Sequence, residues 1–533
     1  MLNPILFFVV SLFFFSQFWT SAIAQETPQT LEELDQKLQQ VVDQAKLPGA
    51  SIAVVEGGEL IFTKGYGLAD VKAGKPVMKE TLFKAGSTSK NITSLLALIL
   101  SEEGRIDLTA PLSQYLPDIG LKNPYEATHP LRLVHLLEHT AGLEGSTYNE
   151  YASSQANMSP TEYAYLLGPK LKVRWVPGFY FSYANSGHTL AAAAMEQATG
   201  KDFDTLVREK IFAPLGMVNS YFSRDQVDMD QLSMSYANDG QTEQPHWDML
   251  IRPSGSLITT AADLAQIVKL YANRGRRENG EFLTTSALVR METPYTSAMA
   301  RAGQRVGGYG LGNFGFFEGP HLFQGHWGAT EGFRTHMGYM TEGGGGYVVM
   351  ANADEGTSHQ LRGLISSYLT RALPAPLPLE LDVPLQDITP FEGWYRPISE
   401  SMVLRSWLWA TFGAVHLRQE ETGIVLDPVL PWLSRQSLEA AGGSLYRFPN
   451  IGVPTVGLVQ GPEGEPVLVN DMAYEQVGWA QAVLPFYLLV LGILVALTTL
   501  LYSLWWVPVY IFGKFVMDDR AITRFSLFLG GGS

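Results

Sequence analysis

Ser87 and Lys90 stand three residues apart in the stretch KAGSTSKNITSLLALIL, Lys84 to Leu100. A serine hydroxyl is a poor nucleophile until a base takes its proton, and a lysine becomes that base once its pKa falls from about 10.4. From Ile92 the apolar residues recur at Ile92, Leu95, Leu96 and Ile99, which predicts a helix facing a core. Leu98 and Leu100 fill its other side, so protein should surround it. Ser87 and Lys90 then share one turn at its N-terminal end, where side chains three apart meet. Desolvation and the positive end of the helix dipole would both lower the lysine pKa there. The spacing alone is common, and an ordinary first turn with a surface lysine has the same spelling.

Further chemistry-bearing residues follow in order. In PGFYFSYANSG, Tyr183 and Asn185 lie two apart after a Pro-Gly turn. A tyrosine near Ser87 can relay a proton, and an asparagine amide can hold a substrate carbonyl. Two other Tyr-Ala-Asn copies, at Tyr236 and Tyr271, read as a turn and a helix end. Later, GHWGATEGF gives His326-Trp327-Gly328, and a second His-x-Gly at His336-Met337-Gly338 has poorer glycine context.

The elements that must position these residues belong to a chain of 533 residues, long enough for two or three units. A formal charge of −15 leaves no basic surface for nucleic acid. The absence of cysteine excludes disulfides, a thiolate nucleophile and Cys-ligated zinc. The first 24 residues carry an apolar run ending in Ala22 and Ala24, which predicts a secretory signal peptide over 1–24. Val483 to Val507 is apolar for 25 residues, more than the roughly 20 that cross a bilayer. Acidic residues precede this span and Lys514, Arg520 and Arg524 follow it, so the bulk of the chain is expected outside the cytoplasm. Pro508 is expected to end the helix, with 508–533 a cytoplasmic tail or the start of a longer region. Five prolines between Arg371 and Pro390 read as a linker, 371–390. Before it, helical and strand patterns mix; GASIAVVEGGELIFTKGYG reads as a hairpin and GGGGYVVMANAD as a strand. After it, 391–475 reads as short strands with no helical period.

The order S-x-x-K, Y-x-N, H-x-G resembles the class C β-lactamase and penicillin-binding-protein family of serine hydrolases. The resemblance covers about Leu31 to Leu369 and includes GRIDLTAPLSQYLP, HLLEHTAGL, IFAPLGMVNSYF, PSGSLITTAADLAQI and GYGLG. It implies an α/β fold of the α+β type over 31–370. An antiparallel sheet flanked by helices would adjoin a helical subdomain, with the small β-rich domain and the membrane helix following. It also implies an acyl-enzyme on Ser87, with Lys90 as base, Tyr183 as shuttling acid/base and Asn185 positioning substrate. His326 and Gly328 would line the cleft on the edge strand, and the backbone N–H groups of Ser87 and Ala329 would form the oxyanion hole. The family's β-lactamases usually carry lysine where His326 stands, which points toward its esterases and peptidases. Trp327 fits a cleft wall or plain packing, and Arg334 a surface position or a replacement cation.

Other residues invite blander readings. His135 and His139 have a zinc-like spacing but no third ligand, so no metal or other cofactor is expected. His188 reads as packed, Asp107 and Asp263 as caps, and the Asn91 glycosylation sequon as buried within the helix. The expectation is an exported, membrane-anchored serine hydrolase cleaving an amide or ester of a small molecule or peptide. The alternatives are a receptor acylated once by β-lactams and a true β-lactamase.

Overall fold

The computed structural model describes residues 26–511 apart from 46, 145–149, 151–157, 305, 354, 377–382, 401–402, 421–422, 450 and 471. The signal-peptide segment 1–24 and the tail from 512 onward lie outside the described residues.

Strand alternation explains the first layer system. Gly49–Glu56 pairs antiparallel with Glu59–Asp70 on one side and Gly346–Ala351 on the other, so the expected hairpin and strand both form. The full sheet has eight strands in the order Gly308–Tyr309, Phe314–Glu318, His321–Thr330, Phe333–Tyr339, Gly346–Ala351, Gly49–Glu56, Glu59–Asp70, Lys75–Pro76. Ala53, Val55, Met337, Val348 and Met350 project to one face, against the helices Ser89–Glu102 and Ala261–Ala272. Ile52, Val54, Tyr347, Val349 and Ala351 project to the other, against Leu31–Ala45 and Glu355–Thr370. Both faces are apolar because both are covered. Each fully buried aliphatic side chain contributes about 1.5–3 kcal/mol, so the two faces together outweigh any single polar contact.

The helical layer on the first face widens into a subdomain containing Leu133–Leu137, Pro160–Leu167, Asn185–Thr199 and Phe203–Val207. The helix Ser89–Glu102 is buried from Ser89 to Leu100, all round, as its two apolar sides predict. That burial is what makes a lysine at its head chemically unusual.

Beyond the proline-containing segment, eight antiparallel strands from Gly393–Pro397 to Ala473–Val477 close into a barrel. Its first strand pairs with its last through Trp394 and Val477. Tyr395, Leu417, Ile424, Leu426, Leu438, Tyr446, Leu458 and Leu468 fill the interior, as small closed barrels require. Ile388 joins that core and Gln386 N–H donates to Gly443 O, so the segment before the barrel is tied to it. Contrary to the sequence expectation, this region also contains a helix, Val403–Phe412. Ten residues are too few for a period to stand out among strands, and contact with the terminal helix stabilises it.

The barrel docks on the catalytic-sized domain. Leu445, Val467, Val469 and Ala473 pack on Tyr180, Ala298 and Met299. Gln304 Nε2 donates to Pro454 O at 2.6 Å and Arg174 Nη1 to Glu400 O at 3.3 Å. One residue after the last strand, a helix runs from Trp479 to Ile511. It passes through Pro508 rather than ending there. A single missing N–H is tolerated where a long apolar helix has no competing partner to unwind toward. Among the described residues it is the one helix long and apolar enough to cross a membrane.

Candidate active site

A turn pressed against a strand builds the site. Gly86 adopts φ +55°, and a Cβ there would lie 2.8 Å from Ala329 N. From the facing strand, a Cβ on Gly328 would lie 1.9 Å from Ala85 O and 2.8 Å from Ser87 N. Only two glycines permit this approach, which sets the backbones of Ser87 and Ala329 beside each other. Ser89 locks the turn: its Oγ donates to Gly86 O at 2.6 Å and accepts from Leu257 N–H at 2.9 Å.

The strand carrying His326 and Gly328 is not an edge along its whole length. Residues His321 to Gly325 pair with Phe314–Glu318, and from His326 onward the strand is paired on one side only. The edge that the family resemblance implies is thus local, beginning where the neighbouring strand ends.

Lys90 is wholly buried, and that burial holds its pKa well below the ordinary 10.5. Its Nζ lies 3.1 Å from Ser87 Oγ and donates to Ser254 O at 2.8 Å. Ser254 also reaches Asn185, its Oγ donating to Asn185 O at 2.5 Å. Asn185 is buried at the first turn of the helix Asn185–Thr199. Lys90 Nζ stands 4.8 Å from the centre of the Tyr183 ring. Ser87 and Lys90 from one segment and Tyr183 and Asn185 from another therefore meet in one place, joined through Ser254 from a third.

Rings enclose them. His139 lies against Tyr183, with ring centres 4.0 Å apart, and against Tyr309 at 4.7 Å and His188 at 5.0 Å. Ala184 N–H donates to His139 Nδ1 at 3.2 Å, which puts the hydrogen of the neutral ring on Nε2. Burial pushes the pKa of His139 and His188 well down; next, a proton on His139 would be repelled by one on His188, and a proton on His188 by one on Lys90. His326 is held down to about 3, first by burial and then by repulsion from Lys90 whenever that amine is protonated. Its Nδ1–H donates to Trp327 O at 2.6 Å, so Nε2 accepts from Tyr309 O–H at 3.1 Å. His326 is therefore a neutral, buried imidazole with both ring nitrogens bonded within the protein, not a cation.

The sequence reading treated His139 and His188 as structural and passed over Ser254 and Tyr309. The signals were present, since PSGSL and GYGLG had been noted as family phrases, but a phrase does not say which side chain points at a lysine.

The remaining candidates lie elsewhere. His336 faces the opposite side of the sheet, 3.0 Å from Ser358 Oγ. Alternation also turns Trp327 away from His326 and Gly328, and it stacks on Phe314 at 4.7 Å. Tyr271 is buried and donates to Asn91 Oδ1 at 2.8 Å, while the Asn91 amide donates to Gly312 O at 3.3 Å. Arg334 Nη1 donates to Thr330 O and Phe333 O, at 2.9 and 2.8 Å. The zinc-like pair fails geometrically: the helix ends at Leu137 and His139 has φ +54°, which breaks the register with His135. Among the described residues no group of His, Asp and Glu could hold a metal ion. Asp107 accepts from Thr109 N–H at 2.8 Å as a local turn; at the helix Ala261–Ala272 the cap is Thr260, and Asp263 instead accepts from Asn219 N–H.

The beta-lactamase family model matches residues 34–365, well over half of the chain, and the chain belongs to that family. Protein flp of Staphylococcus aureus is 24% identical over 251 residues, covering 46% of this chain and 50% of that protein. The chain thus matches about half the length of this curated relative. The octameric penicillin-binding protein homologue from Pyrococcus abyssi superposes with a TM-score of 0.53 at 22% identity, over 83% of this chain and 99% of that one. The D-amino acid amidase from Ochrobactrum anthropi SV3, complexed with D-phenylalanine, gives 0.53 at 20% identity, over 64% of this chain and 99% of that one. Both likenesses are of fold.

Proposed function

We propose that this chain is an exported, membrane-anchored serine hydrolase that cleaves an amide or ester through an acyl-enzyme on Ser87. The observation that carries this reading is a fully buried lysine amine 3.1 Å from a serine hydroxyl. Burial disfavours the ammonium, so a neutral Lys90 amine can accept the Ser87 proton as Oγ attacks the substrate carbonyl. The carbonyl oxygen, now an oxyanion, lies toward the backbone N–H groups of Ser87 and Ala329. Tyr183, beside Lys90, returns the proton to the leaving amine or alkoxide as the carbon–leaving-group bond breaks. Water then attacks the ester by the same route in reverse, giving the free acid and restoring Ser87. Asn185, held through Ser254, positions the substrate carbonyl, and His326 and Gly328 form the cleft wall.

Two features favour a peptidase or esterase over a β-lactamase. His326 is neutral at any physiological pH and offers no charge to an antibiotic's carboxylate. Arg334 has the strand parity of His336, on the face away from His326, and donates through Nη1 to two carbonyls of its own hairpin. A D-amino acid amide or peptide is a reasonable first substrate class, given the amidase among the structural neighbours. Anchoring rests on the apolar helix from Trp479, and export on the N-terminal apolar run.

The test uses the full chain in detergent with p-nitrophenyl esters and D-amino acid p-nitroanilides, beside Ser87→Ala. Sustained release that vanishes in the variant supports the hydrolase. One equivalent of product followed by silence moves the once-acylated receptor to the front.

A further inference from the structure

The base of the terminal helix carries an aromatic arrangement that the hydrolase reading leaves unused. Val483 and Phe486, at the start of the apolar stretch, are only 6% and 5% exposed. Ala414, Val429, Leu430 and Ala482 close over them, all barrel residues except the last. From Tyr487 the same helix is mostly exposed and carries no buried side chain among the described residues, through Leu488, Leu491 and Leu494 to Leu504. Before this point the barrel covers one face of the helix, with Trp479 and Leu484 still exposed, and among the described side chains Phe486 is the last one buried. Tyr487 to Val507 still offers 21 residues, enough to span a hydrocarbon core of about 30 Å.

One exposed tryptophan touches this boundary, and a second lies on the short helix that packs against it. Trp432, on the loop between two barrel strands, contacts the Phe486 ring at 5.8 Å yet is 59% exposed. Phe412, at the end of the helix Val403–Phe412, meets Phe486 from another side at 6.1 Å. Trp407, five residues earlier on that helix, is 54% exposed. Exposed tryptophans are costly in water and favoured at the headgroup level, where an apolar ring and a polar N–H are both satisfied.

We propose that this face of the barrel is a lipid-contacting surface, with Trp407 and Trp432 seated in the headgroup region of the bilayer that the terminal helix crosses. The proposal rests on the membrane-anchoring part of the reading above. Its occupant follows from continuity: if Tyr487 and Leu488 are in lipid, a ring touching Phe486 one residue away lies at the membrane surface. A single residue, Gly478, separates the last barrel strand from the helix, so the barrel has little freedom to lift away. Because the barrel also packs on Tyr180 and Met299, the surface would fix the height and attitude of the cleft over the bilayer.

The chain contains no cysteine, so one introduced thiol carries one label. Trp407→Cys, Trp432→Cys, Leu494→Cys and Val218→Cys are each made in the full chain and labelled with a thiol-reactive nitrobenzoxadiazole. They are reconstituted in phosphatidylcholine vesicles with spin-labelled phosphatidylcholines, after checking ester hydrolysis as a measure of folding. Labels at 407 and 432 should be blue-shifted and quenched best by a spin label high on the acyl chain. The label at 494 should respond to a deep spin label, and that at 218 to neither. Quenching at 494 with water-like emission at 407 and 432 would overturn the surface while leaving the anchor intact. No quenching at 494 would remove the anchor and this proposal together. Blue-shifted but unquenched labels at 407 and 432 would mean that another copy covers the face, which also overturns it.

Discussion

Two histidine-x-glycine triplets lie side by side in the sheet, on adjacent antiparallel strands, with Trp327 opposite His336 and His326 opposite Met337. They are nearly the same in composition and differ in parity. His326 and Gly328 share the face that meets the helices, so the imidazole comes under Lys90 and the glycine admits the Ser87 turn. His336 and Gly338 point the other way, where the imidazole meets Ser358 and a Cβ on Gly338 would strike the Tyr347 ring at 2.7 Å. One residue of register separates a cleft wall from a packing layer, because a strand sends successive side chains to opposite faces.

The comparison can be broken most forcefully at its glycines. Gly328→Ala should push Ser87 N and Ala329 N apart and lower kcat by about 10²–10³-fold, the scale of one lost oxyanion donor. Gly338→Ala should instead cost about 1–3 kcal/mol of stability through overpacking, with activity per folded molecule retained. Esterase assays normalised to the folded fraction from urea titration separate the two. Equal activity losses would erase the distinction between the faces.

The histidines should differ in the same sense and by less. His326→Ala leaves the buried Tyr309 hydroxyl without its acceptor at a cost of about 1–3 kcal/mol. If that cost falls on the geometry of the site, kcat/KM drops by roughly tenfold. His336→Ala removes a partner of Ser358 and should lower the melting temperature while kcat/KM stays at the wild-type value. His139→Ala tests whether the cleft face extends to the ring behind Tyr183. It should reduce kcat by about tenfold with KM little changed, since the nucleophile is intact but its tyrosine is loosened. A shift confined to KM would count against that placement.

The smallest effect is thermodynamic and belongs to Lys90. Lys90 has its pKa lowered in the folded state, so between that pKa and 10.5 the unfolded chain binds the extra proton. Stability therefore rises with pH across this window wherever Lys90 is the group concerned. Against Lys90→Met, the wild type should gain stability as pH is raised toward 10.5, read from urea midpoints at several pH values. A flat difference would mean that the lysine is charged in the native state.

Much of the fold was legible because its signals are local. The hairpin from Gly49, the strand from Gly346 and the helix after Ser87 each follow from a period of two or of 3.6 that neighbours reinforce. The helix Val403–Phe412 was not legible, because ten residues among strands carry too few repeats, and its stability comes from a terminal helix some seventy residues away. Of the candidate site, Ser87, Lys90, Tyr183 and Asn185 were singled out by residue type, order and spacing and by the family resemblance, and the fold brings them together. Ser254 and Tyr309 were not, since their importance comes from a carbonyl and a hydroxyl aimed across the fold.

By itself, then, the sequence determined the chemistry on offer: a serine, a lysine one turn on, a tyrosine, an asparagine and a glycine-flanked histidine, with an apolar span behind them. Tertiary structure alone decided that Lys90 has no water to keep it charged, that His326 is neutral and His336 irrelevant to the cleft, and that Gly86 and Gly328 let two backbones meet. Those outcomes depend on burial and on distance across the sheet. Both are properties of how distant segments pack, which no local spacing records.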